Sequence, residues 1–418
     1  AASDVYKRQE EDIMKKFNKF LSVAVASAMV MAMAGCGNTD NGSAATGTNA
    51  ATESAAASES AASGSVFKIG GIGPTTGGAA VYGLAVQHGA EIAIEEINAA
   101  GGINGYQVEF KFQDDEADAE KSVNAYNALK DWGAQIIDGS TTSGACIAVT
   151  DKTKEDNMFQ ITPSGSAVEC VQYDNNFRVC FSNPNQGLAS AQYIGENGLA
   201  EKIAVIYDSS DVYSSGIYEK FVKEAENQPF EVVAAEAFTA DNKTDFSVQL
   251  QKAKDAGADM VFLPIYYQES ALILTQAAAM GYAPKWFSCD GMDGILGGVD
   301  NFDVSLTEGV MLLTPFAADA TDDLTQSFVT KYKEKYGDTP NQFAADSYDA
   351  IYVIKAAIEK SGVTPDMSVS DICDGMKAAM TEITVDGLTG NGMTWTADGE
   401  ANKAPKAVVI ENGAYKAM

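Results

Sequence analysis

The sequence predicts an α/β protein of two lobes, each a mostly parallel sheet flanked by helices, joined by a hinge of three crossovers. Strand-like and helix-like segments alternate from Val66 onward, which is typical of parallel sheets covered by helices on both faces. The alternation falls into two series. The length of 418 residues agrees with two lobes, because it exceeds what one hydrophobic core usually supports.

The first series predicts one lobe. Its predicted strands are 66–72, 106–113, 135–138 and 158–161, and two of its helices are 117–132 and 143–156. An earlier helix carries Ala93 and Ile97 one turn apart and ends before Gly101 and Gly102, since glycine suits the left-handed residue that ends a helix. In such sheets ligands bind beyond the carboxyl ends of the strands, so the turns that follow these strands are the expected site.

The second series predicts the other lobe. Its predicted strands are 202–207, 230–238, 260–263 and 285–288, and its helices are 215–227, 244–256 and 268–280. Two later helices, 321–336 and 343–360, are expected to return to the first lobe, with crossovers near Pro184, Pro315 and Gly390. The predicted division is therefore 66–184 with 316–391 for lobe 1 and 185–315 with 392–418 for lobe 2.

Charge and composition exclude several classes of function. The chain has 58 acidic and 28 basic residues, a formal net charge of −30, and such a surface repels nucleic-acid phosphates. It has one histidine, His88, and no CxxC or HExxH pattern, which argues against a metal site. Catalysis by a nucleophilic cysteine would need His88 beside Cys146 or Cys289, and no local pattern in the sequence supports that arrangement.

Nucleotide binding is not expected either. The turn at 71–78 lacks the GK[ST] of a phosphate-binding loop. We expect no metal, no cofactor and no enzymatic activity.

The N-terminal segment is typical of an export signal. A basic start at Met14–Lys19 precedes an apolar run at Phe20–Ala34, the order found in secretory signal peptides. The run ends in Met-Ala-Gly before Cys36, which resembles the lipobox of bacterial lipoproteins, where the cysteine receives a diacylglycerol. A plain signal peptide with an incidental Cys36 is the alternative.

The residues around this signal are not expected to fold. Residues 1–13 are expected to be upstream sequence, so that 1–35 comprises these residues and the lipoprotein signal peptide. Residues 36–65 are rich in Gly, Ser, Ala and Thr, a composition that predicts a flexible tether.

One long block resembles the leucine/isoleucine/valine-binding protein family of type I periplasmic-binding proteins. The block runs from Ile69 to Gly105 and contains Gly73-Pro74-Thr75-Thr76-Gly77, Tyr82-Gly83 and the eleven-residue stretch EEINAAGGING. Shorter matching pieces follow in order at Asp114-Asp115, Ser143-Gly144, Thr162 to Ser166 and Ser347 to Ala350. The resemblance covers about residues 66–410, and its early block is the most specific part.

The resemblance implies the substrate-binding component of an ABC importer. Such a protein holds an amino acid, a branched-chain one in the first place, between its lobes and delivers it to a membrane permease. It implies an extracytoplasmic monomer without catalytic activity, here anchored to the bacterial membrane by lipid on Cys36. The side chain of the ligand and the identity of the permease do not follow from the sequence.

Three serines of lobe 1 are predicted to hold the ligand. Ser143 lies at a helix start after the third strand, where its hydroxyl and free backbone N–H groups suit a carboxylate; it could also be a helix cap. By the resemblance, the carbonyl of Ser164 and the hydroxyl of Ser166 help to hold the amine and the carboxylate. The family often has threonine in place of Ser166, a change that keeps the hydroxyl.

The resemblance assigns Asp290 of lobe 2 to the ammonium group of the ligand. Many relatives have glutamate there, so in this chain the ligand lies deeper towards lobe 2 or a water bridges the gap. Asp290 could also be only a turn residue. Tyr82, Tyr213 and Tyr266 stand where the family places cleft aromatics, although Tyr267 could take the place of Tyr266.

Five cysteines remain once Cys36 is assigned to lipid. An exported chain favours disulfides, and Cys170 and Cys180 flank a polar turn, so they are predicted to pair. Relatives with a bridge in the first lobe have one cysteine where Thr142 stands here, so that bridge is not expected. The partners that stay open are those of Cys146, Cys289 and Cys373.

Two other functions remain as alternatives. The same fold could bind another small ligand, such as an amide, a short-chain amine or an aromatic acid. Asp290 discriminates between these ligands, because a carboxylate there favours a ligand with an ammonium group. A sensory ectodomain would need a transmembrane helix and a cytoplasmic module after the fold.

Overall fold

Two sheets organise the part of the chain that the structure describes, residues 64–418. The structure is a computed structural model. The predicted signal peptide, Cys36 and most of the predicted tether lie outside the described residues. Among residues 64–418 there is no helix with both the length and the apolar character that a membrane span requires.

The first sheet has five parallel strands in the order β2-β1-β3-β4-β5. They are β1 (Phe67–Gly73), β2 (Val108–Asp114), β3 (Ile136–Gly139), β4 (Phe159–Thr162) and β5 (Asn176–Arg178). Three helices connect the first four strands: α1 (Ala80–Ala99), α2 (Ala119–Trp132) and α3 (Ser143–Asp156). The predicted βα series is therefore confirmed for this lobe, and β5 is an additional strand at its edge.

Local sequence sets the ends of these helices. Asp118 caps α2 by accepting a hydrogen bond from the backbone N–H of Lys121 at 2.9 Å. Gly133 ends the same helix with a φ of 93°, a conformation that favours glycine. At α3 the N-cap residue is Thr142, and its side chain makes no capping hydrogen bond. The first N–H groups of α3 are thus left without a side-chain partner.

The second sheet begins after α4 (Asn183–Glu196), a helix that packs against α5 (Val212–Ala225). Its parallel strands are β6 (Lys202–Asp208), β7 (Glu231–Phe238), β8 (Met260–Leu263), β9 (Lys285–Ser288) and β10 (Met311–Thr314). The remaining connecting helices are α6 (Ser247–Asp255) and α7 (Tyr267–Ala279). This lobe also follows the predicted alternation, and α4 and β10 are the elements that the sequence did not reveal.

The chain then returns to the first lobe through α8 (Asp323–Tyr336), α9 (Gln342–Ser361) and α10 (Val369–Met380). Helix α9 packs along α1, and the ring of His88 on α1 stacks on Tyr336 with centroids 3.6 Å apart. The return of the two predicted helices to lobe 1 is therefore observed. The histidine is a packing residue between helices.

The third crossover comes later than predicted. A hairpin of β11 (Thr394–Trp395) and β12 (Ala401–Asn402) lies against β5. The backbone N–H of Arg178 donates to the Gly399 carbonyl at 3.0 Å, and the Trp395 indole N–H donates to the Arg178 carbonyl at 2.8 Å. The hairpin therefore belongs with the first sheet, and the chain crosses after Asn402 rather than at residue 392.

Two final strands complete the second sheet. Strand β13 (Lys406–Glu411) pairs antiparallel with β10, and β14 (Ala414–Ala417) pairs antiparallel with β13. The full order is β14-β13-β10-β9-β8-β6-β7. The chain thus passes between the sheets three times, and the predicted lobe boundaries at 184/185 and 315/316 remain predictions.

A buried ion pair holds the third crossover. The ammonium group of Lys403 lies 2.8 Å from a carboxylate oxygen of Asp346 on α9, and the two side chains are 1% and 2% exposed. The same ammonium donates to the Thr389 hydroxyl at 3.0 Å. Nearby, Asp349 accepts hydrogen bonds from the backbone N–H groups of Leu388 and Thr389, both at 2.8 Å. This network fixes the returning segment to α9.

Cys170 and Cys180 are not joined in the structure, contrary to the prediction. All five cysteines of residues 64–418 are free thiols, and all are buried. Cys170 lies in a 3-10 turn, Val168–Val171, that packs on α3. Cys180 follows β5, where the chain leaves the first sheet. The two cysteines therefore pack in different surroundings, Cys170 against α3 and Cys180 beyond the end of β5. The short polar turn between them in the sequence did not indicate this.

The ion pair at the crossover gives a stability prediction. Lys403→Met would leave the Asp346 carboxylate buried without a cation, so the free energy of unfolding should fall by about 3–5 kcal/mol. Urea unfolding followed by circular dichroism measures the change. The control is Lys152→Met, whose ion pair with Glu155 is exposed at both ends and should contribute little. A loss no larger than that of the control would contradict the structural role of Lys403.

Candidate ligand-binding site

The carboxyl ends of the strands of both sheets meet around one small cavity. Thr141, Thr142 and Ser143 follow β3, and Ser164 follows β4. Asp290 follows β9 in the second sheet and lies on the opposite wall. The complete lining is Tyr82, Thr141, Thr142, Ser143, Ser164, Tyr213, Tyr266, Asp290, Gly291 and Phe343. Six of the seven predicted site residues therefore line one cavity, and the seventh, Ser166, lies behind Ser143.

Two backbone hydrogen bonds hold the hydroxyl of Ser143 on the lobe 1 wall. Its hydroxyl oxygen accepts hydrogen bonds from the backbone N–H groups of Ser166 and Ala167, each at 3.1 Å. Since both lone pairs are used, its proton remains to be donated, either to the Ser166 hydroxyl at 3.4 Å or to a ligand. Ser143 is the first residue of α3 and not its cap. Its hydroxyl and the uncapped N-terminus of α3 together suit a carboxylate.

The other two serines have different surroundings. The Ser164 hydroxyl donates to the Thr141 carbonyl at 2.5 Å, so this side chain is already occupied. Ser166 contributes its backbone N–H and hydroxyl to Ser143 rather than to the cavity wall. In this closed arrangement, Ser166 positions Ser143.

Asp290 is a buried carboxylate without a cation among the described residues. It is 6% exposed. One oxygen accepts a hydrogen bond from the Tyr213 hydroxyl at 2.6 Å, and the other accepts one from the Gln186 amide at 2.8 Å. Burial raises the pKa of Asp290 to about 7, although these two hydrogen bonds favour the charged form. The carboxylate would be stabilised by an ammonium group placed in the cavity.

Four aromatic rings enclose the space between the walls. The centroid of Tyr82 lies 5.4 Å from that of Tyr266 and 4.5 Å from that of Phe343, and Tyr213 stacks on Tyr266 at 5.0 Å. Tyr266 is thus the cleft residue. Tyr267 is not on the cavity wall and packs edge-on against Tyr82 at 5.2 Å. These rings supply an apolar wall with hydroxyl groups at its rim.

Tyr82 also connects the two lobes. Its hydroxyl donates to the carbonyl of Gly291 and accepts a hydrogen bond from the backbone N–H of Tyr267 at 3.2 Å. From the same side, the Gln342 amide of α9 donates to the Asp290 carbonyl at 3.0 Å. These bonds describe a closed conformation.

The cavity is too small for an amino acid in this conformation. Its volume is about 20 Å³, which accommodates roughly one water. A chamber of about 410 Å³ adjoins it and shares Thr142, Tyr213 and Tyr266 with it. A ligand therefore requires the lobes to separate or an aromatic ring to move, as expected for a protein that closes by a hinge.

Sequence reasoning missed five residues of this site, one of which is Thr141 on the cavity wall. Gln186 lies on α4, a helix that the alternation did not reveal, and Phe343 is the second residue of α9, beside the cavity. Thr142 was considered only as the residue in place of a cysteine, and Gly291 only as a neighbour of Asp290. The pattern Asn-Pro-Asn-Gln-Gly, which starts α4 at Asn183, was the one available signal for Gln186.

We searched residues 64–418 for side chains that could hold a metal ion. Within residues 64–418 no group of three or more His, Cys, Asp and Glu side chains is arranged to hold a metal ion. The arrangement can hold a ligand by hydrogen bonds and charge.

Comparison with known proteins identifies the family. A family model described as "Periplasmic binding protein" matches residues 66–414. The "Leucine-, isoleucine-, valine-, threonine-, and alanine-binding protein" of Pseudomonas aeruginosa is 31% identical over 302 residues, which cover 71% of this chain and 78% of that protein.

Solved structures show the same architecture. The branched-chain amino acid transporter substrate-binding protein LivJ of Streptococcus pneumoniae, in complex with isoleucine, has a TM-score of 0.76 and 27% identity, covering 84% of this chain and 99% of that one. A solute-binding protein of R. palustris in complex with benzoate has a TM-score of 0.74 at 19% identity, covering 84% and 95%, and shares the fold.

These matches agree with the predicted fold, family and lack of enzymatic activity. The relatives are substrate-binding proteins of transporters, which act outside the cytoplasm. The chain therefore belongs to the periplasmic binding protein family.

Proposed function

We propose that the protein is the extracytoplasmic substrate-binding component of an ABC importer, that it binds an amino acid between its lobes, and that it delivers this ligand to a membrane permease. The observation that carries the proposal is Asp290, a buried carboxylate on the cavity wall opposite Ser143 and the uncapped start of α3. Branched-chain amino acids are the first candidates, because relatives are named for them.

The distribution of charge supports an ammonium-bearing ligand. Among the described residues Asp290 has no ion pair, and the buried Lys403 is paired with Asp346. The negative charge of Asp346 adds to burial in raising the pKa of Asp290. A zwitterion would place its ammonium group at Asp290 and its carboxylate at Ser143, so both ends would be paired in a water-poor space.

The aromatic wall supports a second candidate, an aromatic acid. Tyr82, Tyr213, Tyr266 and Phe343 could enclose a ring, and a carboxylate could still use Ser143. Such a ligand has no ammonium group, so Asp290 would have to bind it in the protonated form or remain uncompensated. The amino acid is therefore the better fit to this cavity.

The location at the membrane is part of the proposal. The basic start, the apolar run and Cys36 support export and lipid modification, with residues 36–65 as a tether that lets the lobes reach the permease. We propose that the protein works as a monomer, since one chain supplies both walls of the cavity.

A thermal-shift screen tests the function. The ligand-stripped protein is screened against the protein amino acids and against benzoate. A ligand at a hundredfold excess over its Kd should raise the free energy of unfolding by about 2.7 kcal/mol. Stabilisation by benzoate, without stabilisation by any amino acid, would favour the second candidate.

The two ends of the ligand give a mutational prediction. Asp290→Ala should weaken binding of the amino acid by about 2–5 kcal/mol, because the ammonium group would lose its buried partner. Ser143→Ala should cost roughly 1–3 kcal/mol. Calorimetry measures both, and Asp300→Ala, an exposed loop change, is the control. Unchanged affinity in Asp290→Ala would show that the ligand has no ammonium group there.

Binding should also depend on pH. The raised pKa of Asp290, about 7, means that the free closed protein holds a proton there below this pH, whereas a bound ammonium group favours the carboxylate. Binding should therefore release a proton below about pH 7, and affinity should fall by up to about tenfold per pH unit as the pH decreases. Calorimetry in buffers of different ionisation enthalpy measures both effects. A flat profile in the wild type would contradict the prediction, and Asp290→Asn should flatten it.

Anchoring is tested at Cys36. Cys36→Ala should release the protein from the membrane fraction or block its processing, because the thiol would be the lipid attachment point. Immunoblots of membrane and soluble fractions measure this, with Cys180→Ala as a cysteine control. If Cys36→Ala stays membrane-bound and fully processed, the lipid attachment is absent.

A further inference from the structure

Two buried thiols lie together behind the ligand-binding wall of lobe 1. Cys146 is on α3 and Cys170 is in the 3-10 turn Val168–Val171, and both are 0% exposed. With Ala167 they form a separate small apolar cluster. The 3-10 turn that carries Cys170 packs directly on the helix that carries Cys146.

Other contacts fix the position of each thiol independently. The Cys170 thiol donates to the backbone carbonyl of Ser143 at 3.7 Å, one turn before Cys146 on the same helix. The Gln160 amide donates to the Cys146 sulfur at 3.6 Å. A Cβ at Gly165 would lie 3.0 Å from both the Cβ and the sulfur of Cys146. Glycine at 165 therefore lets the loop after β4 lie close against α3.

The surroundings shift the pKa values of the two thiols in opposite directions. The hydrogen bond from Cys170 lowers the pKa of Cys146, and the Arg178 guanidinium acts in the same direction. Burial raises the pKa of Cys170. Arg178 is itself fixed, because it donates to the carbonyls of Gly165 at 3.2 Å and Ala167 at 2.8 Å. A pair of this kind suits thiol–disulfide exchange, in which a thiolate is the attacking group.

We propose that Cys146 and Cys170 form a disulfide in the exported protein. The extracytoplasmic location of the family favours oxidised cysteines. The oxidant would be a protein or small-molecule disulfide. The Cys146 thiolate attacks it to give a mixed disulfide and one released thiol. Cys170, after loss of its proton, attacks the Cys146 sulfur and releases the second thiol. Two cysteine thiols are oxidised and one external disulfide is reduced to two thiols.

The bond would join the two segments that build the carboxylate seat. Ser143 is on α3 with Cys146, while the N–H groups of Ser166 and Ala167, which hold the Ser143 hydroxyl, precede Cys170 in the same loop. A covalent link across this contact would restrict the loop in the unfolded chain and hold it in place when the lobes open. The link does not depend on which ligand is bound.

Peptide mapping of the exported wild-type chain tests the bond. Free thiols are alkylated in denaturant without reductant, and the digested peptides are analysed by mass spectrometry before and after reduction. The expected result is one linked pair containing Cys146 and Cys170, with Cys180, Cys289 and Cys373 alkylated. Full alkylation of Cys146 and Cys170, or a link from either to another cysteine, would overturn the proposal.

Thermal unfolding gives a second readout with matched variants. Reductant should lower the unfolding midpoint of the wild type and of Cys180→Ala by about 5 °C. Cys146→Ala and Cys170→Ala should each show a lower midpoint that reductant no longer changes. An equal response to reductant in Cys146→Ala and in the wild type would also overturn the proposal. The mapping experiment needs no variant, so it stands if a substitution prevents folding.

Discussion

The buried charge of Asp290 is the constraint on which the rest of the cleft depends. Removing a carboxylate from water is costly unless a cation or several donors compensate it. Tyr213 and Gln186 each give one hydrogen bond, and the pKa of about 7 shows that two neutral donors compensate only in part. Lys403 could not serve, because it is held by Asp346. The partner that we propose for this carboxylate is the ammonium group of the ligand.

The sequence predicted the fold well where the pattern was local. Alternating apolar segments located β1 to β4 and β6 to β9, and the helices between them, because each of these elements has its own periodicity. It did not reveal α4, α10, β10, β13 or β14, and it also missed three very short strands, β5 with three residues and β11 and β12 with two residues each. Such strands are defined by their partners and not by a period. The hairpin of β11 and β12 also displaced the third crossover, because its pairing with β5 is a contact across more than two hundred residues.

The site was predictable to the extent that it follows strand ends. Ser143 was predicted from its place at the helix start after the third strand, and Asp290 was assigned by the family resemblance to the turn after β9. Gln186 was not, because it reaches Asp290 from a helix over one hundred residues away in the chain. The predicted pairing of Cys170 with Cys180 was not observed for a similar reason. Cys170 and Cys180 are ten positions apart in the sequence, but the 3-10 turn that contains Cys170 packs on α3, where Cys146 lies. Spacing indicates which residues can meet, and packing decides which do.

Closure of the lobes brings these constraints together. Tyr82 and Gln342 bond across the cleft to backbone groups of Gly291 and Asp290, so direct contacts between the lobes contribute to closure. These bonds go to backbone carbonyl groups, so they do not offset the charge of the Asp290 carboxylate. Closure without a cation in the cavity removes water from that charge and is therefore costly. A zwitterionic ligand would reverse that balance, since its ammonium group would pair with Asp290 and its carboxylate with Ser143 and the start of α3. A ligand shifts an equilibrium only by its difference in affinity for the two states. In this cleft the difference would come from the two buried charges, and the bonds between the lobes would add little selectivity.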